Sequence, residues 1–284
     1  MTAYIAGNSH VICLIGAARR SVAGRARHLN AKRVAPRHFA VGDTGIFFTG
    51  ITKDLLTPGI FGAVDQGSLK FTDQRFQQDL AEWTGEKTVP ATSPWGLCNV
   101  ANTSRRLYRD AMWRTFAPTH LARGGLTPMT DDAIRAMLEW DHRGARTVYE
   151  RLAILGIPTF AISGPPPRRN HPAMTEDGYR PELLQHLDSL AREVWRDWLA
   201  SRDVPLIEPP VEAADADGFL RPEFENVREA GEADRIHANE LYGELMVARI
   251  AGHVVRIGPD GSQNARAGST IVGGNSPVTR QKNS

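Results

Sequence analysis

Two short stretches at opposite ends of this chain carry side chains that could carry out acyl chemistry together. Ser9 lies in Gly7-Asn8-Ser9-His10, which reads as a tight turn. Before it, Tyr4-Ile5-Ala6 reads as a short apolar strand, and after it Val11-Ile12-Cys13-Leu14-Ile15 reads as the buried start of a helix. A serine at such a junction presents its hydroxyl where backbone N–H groups and the helix dipole favour negative charge. It still needs a base before it becomes a nucleophile. The candidate base and its orienting acid are His237 and Asp234, three residues apart at what reads as the entry to a helix. Ester hydrolysis by serine requires a base, a group that fixes the base's tautomer, and donors for the tetrahedral oxyanion. Ser9, His237 and Asp234 supply the nucleophile, the base and the orienting group. His10 adjoins the serine, but neighbouring residues point in different directions, so packing or substrate contact is expected of it.

These motifs support a comparison with a known family. Gly7-Asn8-Ser9-His10 near one end and Asp234-x-x-His237 near the other resemble the SGNH (GDSL-like) hydrolases. His237-Ala238-Asn239 with Tyr242-Gly243, and Asp217-Gly218-Phe219-Leu220-Arg221-Pro222-Glu223 upstream, are similar to a bacterial branch of that family. The resemblance implies a catalytic Ser9, Asp234 and His237 on a three-layer α/β/α, flavodoxin-like parallel sheet. It also implies an oxyanion hole built from the Ser9 N–H, a glycine after the second strand and an asparagine after the third. Gly42 and Gly45 both follow the expected second strand, His38-Phe39-Ala40-Val41, and both stand as candidates. The asparagine is expected at Asn99, in Trp95-Gly96-Leu97-Cys98-Asn99, with Asn102 nearby; the spacing departs from the family's by one inserted residue.

The elements that must hold these residues alternate in the βα manner of a doubly wound sheet. Thr130-Asp131-Asp132 caps a long helix whose apolar side carries Ile134, Met137, Leu138, Val148, Leu152 and Leu155, and Gly156 stops it. Ile157 to Ile162 follows as a buried parallel strand ending at Ser163-Gly164-Pro165, the edge where such folds place their sites. Pro181 opens another helix, and Val204 to Ile207 is the last short strand. Ser104 to Phe116 reads as helical. Residues 46–71, with apolar pairs punctuated by Gly and Pro, read as a β-ribbon insertion. The expected organisation is one hydrolase domain over 1–257, with a mobile tail over 258–284 where Gly, Ser, Asn and Arg leave little to bury.

A chain of 284 residues with 41% hydrophobic content can bury a large core, and a net charge of +2 predicts neither a nucleic-acid nor a membrane partner. Cys13 and Cys98 show no metal-ligand spacing, and the sequence opens on a strand with no leader, so a cytoplasmic setting is expected. Asp215-x-Asp217-Gly218 lacks the later ligands of a calcium loop, and no dinucleotide or phosphate fingerprint is present; no metal and no cofactor are expected. Arg168 and Arg169, beyond the proline run, read as solvated loop residues. The resulting expectation is a serine esterase acting on a small-molecule or carbohydrate ester, acetyl being the family's habit. An O-acyltransferase would use the same triad, and a carbohydrate-binding protein could use the same fold without chemistry.

Overall fold

The computed structural model describes residues 2–7, 10–21, 37–41, 44–50, 63–65, 68–70, 74, 77–78, 81, 87–90, 93–100, 110–227 and 233–257. The tail expected over 258–284 lies outside the described residues.

Six strands form the central sheet: β1 (Thr2–Gly7), β2 (Arg37–Val41), β3 (Thr44–Gly50), β4 (Trp95–Val100), β5 (Thr159–Ser163) and β6 (Leu206–Ile207). Their spatial order is β6-β5-β4-β1-β3-β2. β1 pairs in parallel with β3 and β4, and β5 pairs in parallel with β4 and β6. β2 runs antiparallel on the edge of β3. The five parallel strands therefore have the flavodoxin-like order, with one antiparallel strand added at the edge. From β1 the chain moves outward to β3 on one side and then to β4 on the other. This reversal opens a crevice at the carboxyl end of β1, the position where open α/β sheets bind ligands.

Period-two alternation along β1 assigns its residues to two cores. Ala3 and Ile5 are fully buried with α1 (Val11–Ser21) and α4 (Glu240–Ile257), through Val11, Leu14, Met246 and Ile250. Tyr4 and Ala6 face the other way, into a cluster with α2 (Asp131–Ile154) and α3 (Pro181–Ala200) that includes Tyr149, Trp195 and Trp198. Helices thus cover both faces, as the three-layer expectation requires. Each large apolar side chain so buried contributes about 1.5–3 kcal/mol of transfer free energy. Close approach matters most where α1 meets α4. A Cβ on Gly243 would run into the Cys13 carbonyl, and into the Ala17 Cβ at 2.8 Å.

Four sequence expectations are corrected by this topology. The second parallel strand is β3, and His38–Val41 belongs to the antiparallel edge strand. Gly42-Asp43 separates two apolar runs by two residues, which is the spacing of a hairpin. The ribbon expected from 46 onward consequently loses Ile46–Gly50 to the main sheet. Among the described residues the rest of it comprises Ala63–Asp65 and Ser68–Lys70, paired antiparallel, and Val89–Pro90, from outside that segment, pairs antiparallel with Ser68–Leu69. Of the helix expected over Ser104 to Phe116, residues 104–109 lie outside the described residues; in the rest, Ala111–Arg114 is a single 3-10 turn and Phe116–Pro118 pairs in parallel with Thr127–Met129. Finally, Asp234 and His237 sit on an extended strand, β8 (Ala233–Ala238), antiparallel to β7 (Glu225–Val227), and the helix starts only at Glu240.

Among the described residues no helix is long and apolar enough to cross a membrane.

Candidate active site

Asp234 and His237 meet through a local turn. Asp234 Oδ1 accepts hydrogen bonds from the backbone N–H groups of Ile236 and His237, each at 3.1 Å, which folds the side chain back over its own strand. The same carboxylate then reaches His237 Nδ1, with Oδ2 at 2.9 Å. Asn226, across the ribbon on β7, donates its Nδ2 to Asp234 Oδ2 at 3.2 Å. Burial alone would push the Asp234 pKa up, but the His237 ring and the two backbone N–H groups outweigh it and hold the carboxyl at about 2. It is therefore ionised at neutral pH and accepts from Nδ1–H, leaving Nε2 as the basic nitrogen. The His237 side chain is 24% exposed and that of Asp234 10%, so the acid is covered and the imidazole is reachable.

Ser9 lies outside the described residues, but its flanks are defined. Gly7, the last residue of β1, pairs with Cys98 on one side and Gly50 on the other. A Cβ on Gly7 would meet Val11 Cγ2 at 2.5 Å and the Cys98 carbonyl at 2.6 Å, so the chain can turn here only with glycine. The His10 ring lies with its centroid 5.2 Å from that of His237, tilted by 53°. Burial, then the neighbouring His237, lower the His10 pKa to about 3, with Asp234 acting in the opposite direction. A neutral, covered His10 packs against the imidazole, one of the two roles the sequence predicts for it.

The oxyanion candidates separate. Gly45 pairs with Thr2 at the amino edge of the sheet, five residues and ~17 Å of strand away from the level of Gly7. The expectation for Gly45 is corrected accordingly. Gly50 is the glycine of β3 that stands level with Gly7 at the carboxyl edge. Gly42 and Asn102 lie outside the described residues. Asn99 belongs to β4, where the register with β5 passes from Cys98 opposite Ile162 to Val100 opposite Ser163. Asn99 is thus the extra residue of a bulge, a device that re-aims chains at sheet edges near sites.

Residues to which the sequence assigned no such role hold this edge together. Arg168, expected as a solvated loop residue, is 1% exposed. Its guanidinium donates to the His237 carbonyl at 3.2 Å, the Asn226 carbonyl at 3.4 Å and Glu225 Oε2 at 2.6 Å, tying both strands of the ribbon to the loop after β5. Arg192, clamped by Asp188 at 2.7 Å, donates to Ser163 Oγ and to the carbonyls of Gly164 and Pro165. Asn239 caps α4 by accepting from the Leu241 and Tyr242 N–H groups, while its Nδ2 donates to the Glu223 and Glu225 carbonyls. Its place two residues after His237 is a structural requirement. Arg169 remains exposed and pairs with Asp215 and Asp217, so a guanidinium supplies the cation in the acidic loop that superficially matched a calcium site.

No protein-family model matches this sequence, and no curated protein matches it. Among solved structures, it is similar to a GDSL-like lipase from Bacteroides thetaiotaomicron, at 10% identity and a TM-score of 0.44 over 90% of this chain and 88% of that one. It is also similar to a carbohydrate acetylesterase family member from Sinorhizobium meliloti, at 12% identity and 0.42 over 90% and 98% of the two chains. An acetyl xylan esterase matches at 10% identity and 0.42, over 89% of this chain and all of that one. These likenesses are remote, and the reading of the site rests on this chain's own residues.

Proposed function

We propose that the chain is a serine ester hydrolase that removes a small acyl group through an acyl-enzyme. The observation that carries this reading is the Asp234–His237 pair at 2.9 Å, with the ring of His10, the residue next to Ser9, packed against the imidazole. In this reading Ser9 Oγ attacks the acyl carbon while its proton passes to His237 Nε2. Asp234 accepts from Nδ1–H and stabilises the imidazolium that forms. The tetrahedral oxyanion is held by the Ser9 N–H, with the Gly50 N–H and Asn99 as the further donors at this edge. Its collapse expels the alkoxide, which takes the proton from His237 Nε2 and leaves the acyl-enzyme. A water molecule then gives its proton to His237, attacks the acyl carbon, and the second collapse releases the acid and returns the proton to Ser9.

The test is hydrolysis of a p-nitrophenyl ester series of increasing chain length, together with an O-acetylated sugar, which the family resemblance implies. Fluorophosphonate labelling runs in parallel. The parent should turn over, prefer acetyl and be labelled. Ser9→Ala and His237→Ala should each lower kcat by about 10^4-fold or more with the melting temperature retained. A parent that neither hydrolyses nor labels would overturn the reading.

A further inference from the structure

A second group of chemically competent side chains lies on elements other than those that carry Asp234 and His237. His120 sits in the 3-10 turn Thr119–Leu121, Asp131 is the first residue of α2, and His186 projects from α3. One ligand atom from each comes within 4.8 Å of the other two. His186 Nε2 and Asp131 Oδ1 are 2.9 Å apart, and the rings of His120 and His186 meet edge to face at a centroid distance of 4.5 Å. The turn that carries His120 is itself held. Thr119 Oγ1 donates to the Met129 carbonyl at 3.1 Å, and Arg180 Nη2 donates to the Leu121 carbonyl at 2.5 Å. Beneath it lies an apolar cluster in which Ile134, Leu183 and Leu187 are buried and Leu121 and Met129 partly so.

We propose that His120, Asp131 and His186 form a binding site for a late first-row divalent cation, zinc or cobalt being the representative ions. Two imidazoles and one carboxylate suit these metals, whereas calcium and magnesium prefer sets made of oxygens. With both imidazoles neutral the three ligands carry one negative charge, which attracts the dication. Bonds of 2.0–2.1 Å at tetrahedral angles separate the ligand atoms by about 3.3 Å. The His186–Asp131 pair therefore opens slightly on binding, and His120, which is exposed, swings inward to complete the set. Three protein ligands leave one coordination position for water. The ion would tie the 3-10 turn and the start of α2 to α3, where His186 lies 55 residues beyond Asp131, and stabilise their packing by binding only the folded chain. This site is independent of the esterase reading.

The test is titration of chelator-stripped protein with Co2+ by calorimetry and visible absorption, followed by displacement with Zn2+. One equivalent should bind with d–d bands of a four-coordinate ion, and the melting temperature should rise. His120→Ala, His186→Ala and Asp131→Asn should each weaken binding at least tenfold and abolish the thermal shift, while His237→Ala should bind as the parent does. Circular dichroism checks that each variant is folded; His120 is exposed, so its replacement leaves the core intact. The proposal is overturned if the parent shows no saturation by about 1 mM free Co2+. It is equally overturned if the His120 and His186 variants bind like the parent.

Discussion

Asp234 engages four partner groups through its two oxygens, Oδ1 also lying 3.1 Å from His237 Nδ1, and the contacts fall into two kinds. Oδ1 closes the turn by accepting from two backbone N–H groups, whereas Oδ2 faces His237 Nδ1 and Asn226. Asparagine could keep the first function, because its carbonyl oxygen also accepts, but it brings an N–H2 or a neutral oxygen to Nδ1 and loses the charge that stabilises an imidazolium. Asp234→Asn is therefore expected to lower kcat by about a hundred- to ten-thousand-fold while moving KM and the melting temperature little. Steady-state kinetics on p-nitrophenyl acetate measure this, and an unchanged kcat would remove Asp234 from the mechanism. The folded carboxyl titrates at about 2, below its ordinary 3.8. Its stabilisation is thus complete above the unfolded value and is lost as pH falls through the folded one, so its ionisation does not limit activity near neutrality.

At the scale of elements, the β7–β8 ribbon is too short to hold a register by its own ladder, which is irregular between Glu225 and Val227. Arg168 supplies the missing constraint from outside, since its planar fork reaches both strands and the His237 carbonyl at once. Removing it leaves two carbonyls and a largely covered carboxylate without their donor. Arg168→Met is expected to cost about 2–4 kcal/mol in urea unfolding and to lower kcat more than it raises KM, because the base is displaced rather than the pocket. Lysine cannot span the same three acceptors, so Arg168→Lys should recover less than half of either loss. Full activity in Arg168→Lys would show that only the charge matters. The other end of the ribbon is set by Asn239, which joins the strand to α4. Gly243 then lets that helix lie directly on α1, the helix that begins just after His10.

For the molecule as a whole, two buried histidines couple stability to pH. His10 and His142 are both held near a pKa of about 3, in each case chiefly by burial, and His142 lies fully covered against Trp195 at a ring distance of 5.0 Å. Unfolding releases them to the ordinary value of 6.5, so between about 6.5 and 3 the unfolded chain binds more protons. Stability is then greatest above 6.5 and falls with acidification, by about 2 kcal/mol per histidine between pH 7 and pH 5. Urea midpoints at the two pH values measure the slope. His142→Phe, which keeps an aromatic ring beside Trp195 and removes the proton site, should flatten it by about half. An identical slope in that variant would place the pH dependence elsewhere.

The apolar run Tyr4-Ile5-Ala6, the acids and cap at Thr130–Asp132 and the glycine stop at Gly156 are local signals, and they determined a parallel α/β sheet flanked by helices. The Asp234–His237 pairing was legible as a motif, but not its cause: residues three apart on a strand point to opposite faces, and only the turn closed by the Ile236 and His237 N–H groups brings the carboxylate back to the imidazole. Only the tertiary structure decided which of two adjacent apolar runs became the second parallel strand. That choice set Gly45, one of the two candidate glycines, at the amino edge and Gly50 level with Gly7, since both runs have the same period and differ only in what they pair with. It alone revealed Arg168 as buried, Asn226 as a partner of Asp234, and His120, Asp131 and His186 as neighbours. Local sequence marks Asp131 only as a helix-start acid and gives the others no such role; their contacts arise between segments whose proximity is set by packing of the layers. A sequence pattern records the face a residue presents; the partner across the gap is settled only when the layers close.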